Sequence, residues 1–86
     1  MNNKINVFVK KWFDNVNGNT YHNVNFNYNN KNYNSGLTYG YGSQYKVTLR
    51  DMIEKHNLTI NDDFNYIVID VNTEEELEKT DYFTQI

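Results

Sequence analysis

Two stretches of strict two-residue alternation, joined through an Asn-Gly pair, constrain this chain more than any other feature. In the first, Ile5, Val7 and Val9 stand against Asn6, Phe8 and Lys10. Alternation built from β-branched residues predicts a strand over residues 5–13. In the second, residues 20–28, His22, Val24, Phe26 and Tyr28 alternate with Tyr21, Asn23, Asn25 and Asn27. One face of that strand is therefore expected to be core and the other wet. Asn17-Gly18 lies between the two, and both residue types tolerate positive φ, so a hairpin is predicted there.

The rest of the chain must cover that hairpin. Residues 29–32 read as a second tight turn, and residues 33–41 as a third strand kinked near Ser35-Gly36. Thr48 is the expected N-cap of a helix carrying Leu49, Met52, Ile53 and His56 at helical spacing, with Asp51 in its first turn and Asn57 ending it. Residues 64–71, with Tyr66-Ile67-Val68-Ile69 at their centre, are the most apolar stretch and read as a buried strand. Thr73-Glu74-Glu75-Glu76 matches a capping box opening a short acidic helix over residues 73–79. Residues 82–86 are left as a short edge strand or a loose end. The expected fold class is α+β in one domain of 86 residues. Its antiparallel sheet has about four strands in the order β-β-β-α-β, with a helix packed on one face and the short acidic helix after it.

Composition removes several chemistries. There is no Cys, so disulfides, zinc knuckles and thiol nucleophiles are excluded. His22 and His56 lack the local spacing of metal ligands, and the loop at Asp14–Gly18 lacks the glutamate of a calcium loop; neither a metal nor a cofactor is expected. Tyr39-Gly40-Tyr41-Gly42-Ser43 lacks the Lys and Ser/Thr of a phosphate-binding loop, so its glycines are read as a tight turn. Ser35 and Ser43 are the only serines, and neither sits in a nucleophile elbow. Catalysis is not expected. No segment reaches the length of a membrane span, and the first residues show neither a long apolar run nor a small-residue cleavage site, so the expected location is the cytoplasm.

What remains is binding. Residues 1–50 carry six bases and one acid, whereas residues 51–86 carry two bases and ten acids. Asp62, Asp63, Asp70, Glu74, Glu75, Glu76, Glu78 and Asp81 crowd the last third, an acidic surface suited to a basic groove on a protein partner. The bland alternative is that the halves neutralise each other. Lys10, Lys11, Lys31, Lys46 and Arg50 interleave with Trp12 and several tyrosines, the pattern of a sheet that stacks single-stranded nucleic acid. The acidic balance, net charge −3, counts against that second reading. Edge-to-edge pairing of the Asn-rich strands into an oligomeric structural protein is a third.

Trp12-Phe13, then Gly18-Asn19-Thr20-Tyr21-His22, then Tyr39-Gly40-Tyr41-Gly42-Ser43-Gln44-Tyr45 resemble a group of small uncharacterised proteins of bacteriophages of low-GC Gram-positive bacteria. The resemblance implies a phage accessory protein acting inside an infected cell. By class analogy it implies an inhibitor of a host nucleic-acid-handling defence enzyme, as anti-CRISPR proteins are. It also singles out Trp12, His22, Tyr39, Tyr41 and Tyr45 as a candidate aromatic site, with Trp12 expected to pack where the first strand meets the glycine turn.

Overall fold

A computed structural model describes residues 4–61 and 63–78. The order is β1 (Lys4–Asp14), β2 (Asn19–Tyr28), β3 (Lys31–Asn34), β4 (Thr38–Tyr39), α1 (Tyr45–Lys55), β5 (Asp63–Val71) and α2 (Glu74–Glu78). The class is α+β, and the strands form one five-stranded sheet in the order β3-β2-β1-β5, with β4 also on β2.

The β1–β2 hairpin forms as the alternation predicts, with Asp14 paired to Asn19 at its mouth. Its loop is longer than a two-residue turn. The Asp14 carboxylate accepts the Val16 and Asn17 amides and the Asn17 side chain, and Gly18 alone takes a positive φ, 71°. These bonds, the Asn17 side chain first, hold the Asp14 carboxyl below its usual pKa. The β2–β3 turn is the tighter one. Asn29 and Asn30 both sit in the left-handed region, φ 53° and 64°, between paired Tyr28 and Lys31, the pattern of a type I′ turn. The kink at Ser35-Gly36 splits the expected third strand into β3 and β4, both antiparallel to β2.

The sheet is mixed rather than antiparallel, because β5 runs parallel to β1 from Lys4↔Asp63 to Trp12↔Val71. The cause is topological. β2 occupies one side of β1, and α1 carries the chain back across the sheet, so the next strand arrives on β1's open side pointing the same way. That placement also overturns the reading of residues 64–71 as buried. Among the described residues β5 ends the sheet, none of its residues is buried, and Val68 is 43% exposed.

Helix α1 covers one face. Ile5, Val7, Val9, Val24, Phe26 and Tyr33 meet Leu49 and Met52, and Phe26 stacks on Tyr33 at 5.1 Å. Thr48 does not cap α1. The helix begins a turn earlier, after Gln44, because Lys46 and Val47 bond back to Ser43 and Gln44, and Thr48 turns its hydroxyl to the sheet. Asn57 ends the helix as expected, at φ 54°, with the Asn57 amide on Glu54 and the Leu58 amide on Ile53, a Schellman cap.

The second face of the sheet is wet only in part. Asn6 and Asn27 are exposed on it, but Lys10, Asn23 and Asn25 are buried. Helix α2, whose Leu77 is fully enclosed, lies over Lys10 and Asn23. Lys10 Nζ donates to the Glu76 carbonyl at 2.8 Å and Asn23 Nδ2 to the Leu77 carbonyl at 2.7 Å. Half of the expected capping box forms, the Glu76 amide donating to Thr73 Oγ1, while the Glu76 carboxylate takes the Asn72 amide one residue before the cap. A five-residue helix leaves its last carbonyls unpaired along its own axis, and the sheet supplies donors for two of them. Residues 82–86 lie outside the described residues.

Candidate functional site

Strand register decides which aromatics share a surface. Trp12 pairs with Tyr21, and Tyr21 with Tyr39, so the three stand in one row across β1, β2 and β4. Trp12 and Tyr21 stack at 5.6 Å, and Tyr39 meets Tyr21 edge-on at 5.8 Å. Trp12 and Tyr21 lie two positions beyond Lys10 and Asn23, the residues that hold α2, so the row begins where the helix ends. Tyr39 is 61% exposed and Tyr41 75%. Tyr21 stands outside the aromatic site expected from the sequence because it reads as part of a wet face. Its pairing opposite Trp12, countable once the hairpin loop is known, is the signal that would have found it.

The other expected aromatic residues separate. Tyr45 lies on the α1 side, ring to ring with Tyr66 at 5.5 Å. Burial raises the Tyr66 hydroxyl above its ordinary pKa, with Tyr45 adding to the shift. His22 is 1% exposed and points into the α1 side. Its Nδ1–H donates to the Gly40 carbonyl at 3.2 Å, and Nε2 accepts the Thr48 hydroxyl at 2.6 Å. Burial lowers the His22 pKa, the Gly40 carbonyl opposes that shift, and the Lys11 charge reinforces it. His22 thus ties the glycine turn to α1. Gly40 is required for the same contact: at φ 152°, a Cβ there would lie 2.5 Å from Gln44 Cγ and 3.1 Å from His22 Cε1. The turn frames a shallow groove of about 470 Å³ lined by residues 39–44, walled by Tyr39 and Tyr41.

The acidic residues also divide. Glu74, Glu75, Glu76 and Glu78 are exposed on α2, on the face of the sheet that carries the aromatic row. Asp70 is exposed at the same end of β5 but its register with Lys11 puts it on the α1 side. Asp63 is exposed at the far end of β5, about 20 Å away along the strand. Asp62 and Asp81 lie outside the described residues.

The bases fall elsewhere. Lys10 is buried against α2. Lys11 donates to the Gly42 carbonyl from the α1 side, and Lys31 and Lys46 sit over the rings of Tyr33 and Tyr66 on that side. The α2 face thus joins the glutamates to the aromatic row, whereas the α1 side mixes Lys11, Lys31 and Lys46 with Asp70. Of the two serines, Ser35 is built into the sheet, accepting the Val24 amide and donating to Gly36. Among the described residues, no group of three acidic or imidazole side chains converges as a metal would require. No described helix is long and apolar enough to cross a membrane. No family model, curated protein or solved structure matches the chain.

Proposed function

We propose that the chain is a phage-type accessory protein that binds and inhibits a host protein with a basic surface, of the class of nucleic-acid-handling defence enzymes. The observation that carries this reading is the adjacency of α2's glutamates and the Trp12–Tyr21–Tyr39 row on one face. Carboxylates draw in and orient a basic partner, and flat aromatic rings supply contact area and cation–π seats for its Arg and Lys. The same adjacency disfavours the nucleic-acid reading, since a strand stacked on the row would bring its phosphates against the glutamates.

The test is affinity capture from host lysate, with and without nuclease, using the native chain and two variants. Glu74→Lys with Glu78→Lys reverses charge one turn apart on the helix while leaving the capping Glu76 alone. Tyr39→Ala removes the outermost ring. One protein captured despite nuclease, and lost in both variants, is the expected result. Capture that survives both changes sinks this surface, and capture lost on nuclease treatment moves the reading to nucleic acid.

A further inference from the structure

The two edges of the sheet are unlike. One is broken into four-residue β3 and two-residue β4 by the Ser35-Gly36 kink, and β3 opens on Lys31. Short, kinked, lysine-bearing strands are how proteins keep an edge from pairing with another chain. The opposite edge has none of these devices. β5 is nine residues long, contains neither Pro nor Lys, and keeps unbroken register with β1 from end to end. Among the described residues no strand pairs with its outer side. Its centre is apolar on both faces, with Ile67 and Ile69 half-buried on the α2 side and Val68 exposed on the α1 side.

We propose that β5 pairs with β5 of a second copy, antiparallel about a two-fold axis at Ile67, joining two sheets into one of ten strands. The sequence of β5 is self-complementary in that register, which is also the one that uses all nine residues. Ile67 meets Ile67 of the other copy, and Tyr66 meets Val68 twice, an aromatic opposite a β-branched residue. Asp63 falls opposite Val71 and Asp70 opposite Phe64, so no acid faces an acid. A charge pair forms as well. Lys46 Nζ lies 5.3 Å from the centre of the Tyr66 ring. Asp70 of the second copy would stand diagonally beside that ring on the same face, within reach of a long side chain. Symmetry makes this contact twice. A two-fold closes the assembly, so both long edges are consumed and no fibre grows.

This inference does not rest on the partner reading, and solution mass tests it. Across a dilution series from millimolar to low micromolar, the native chain is expected to approach twice 10.3 kDa at the upper end. Lys46→Asp and Asp70→Lys should each weaken association roughly threefold, with the double swap recovering most of the loss. The chain has no cysteine, so Ile67→Cys offers one thiol on the axis. Under mild oxidation it is expected to form a covalent dimer far faster than Val16→Cys, placed in the exposed hairpin loop. A monomer at millimolar concentration overturns the proposal. So do equal cross-linking rates for the two cysteines, or a charge swap that fails to restore association.

Discussion

The two faces of the sheet are covered by different chemistry. Under α1 the contact is almost wholly apolar, Val7, Val9, Val24 and Phe26 being fully buried against Leu49 and Met52. On the α2 side, Leu77 is the one fully buried apolar residue among the described residues, and Lys10, Asn23 and Asn25 are buried on the same side. The first face is held by area removed from water, and any residue of similar shape contributes to it. The second is held by specific donors on specific carbonyls, and a buried polar group that misses its partner costs more than an apolar one of the same size. One face therefore supplies stability in bulk, and the other fixes where a one-turn helix sits.

That contrast can be broken on its strong side first. Phe26→Ala removes a fully buried ring stacked on Tyr33 and should cost about 3–5 kcal/mol in denaturant unfolding. A loss below about 1 kcal/mol would mean that the α1 face is not the main core. Leu77→Ala is the matching cut on the other side, with an expected cost of about 2 kcal/mol. Its signature should be local: amide exchange rising over residues 74–78 while the β1 and β2 amides stay protected.

A third test sets a polar contact inside the apolar face. Burial lowers the His22 pKa in the folded chain, so the unfolded chain takes up the proton first. Its stabilising contribution is complete above the unfolded value of about 6.5 and is lost as pH falls through that value toward the folded one. The denaturation midpoint should fall between about pH 7 and pH 5, and His22→Gln should flatten that stretch of the curve. A slope unchanged in the variant would assign the effect to other groups. The smallest expected change is at Asn25, whose buried Nδ2 has no hydrogen-bond partner among the described residues. Asn25→Leu should be neutral or stabilising by up to about 1 kcal/mol, whereas Asn23→Leu, which strands the Leu77 carbonyl, should destabilise. Equal effects at the two positions would remove the distinction between paired and unpaired donors on this face.

The two faces also differ in how far they could be read in advance. Val7, Val9, Val24 and Phe26 announce the α1 side by alternation, and the helix over it follows from the spacing of Leu49, Met52 and Ile53. Nothing local marks Asn23 or Lys10 as buried, because their partners are backbone carbonyls more than fifty residues away, and a carbonyl has no residue signature. The direction of β5 was hidden for a related reason: Tyr66-Ile67-Val68-Ile69 suits a parallel or an antiparallel neighbour equally, and only the traverse of α1 decides. Thr48 was read as a cap because its type fits one, whereas the buried His22 ring competes for the same hydroxyl. Of the candidate site, Trp12, Tyr39 and the α2 glutamates were named from sequence, and Tyr21, which joins the row together, was not.

The parallel pairing of β1 with β5 has a mechanical consequence. Tension applied at Lys4 and at Val71 pulls the two strands along their own axes in opposite senses, so the nine register pairs between them are loaded in shear and must yield together. Tension applied across the β1–β2 hairpin mouth, at Asp14 and Asn19 after the loop is cut, would part that ladder one pair at a time. A machine that unfolds this protein by drawing on its end would meet far higher resistance than one that enters at the loop.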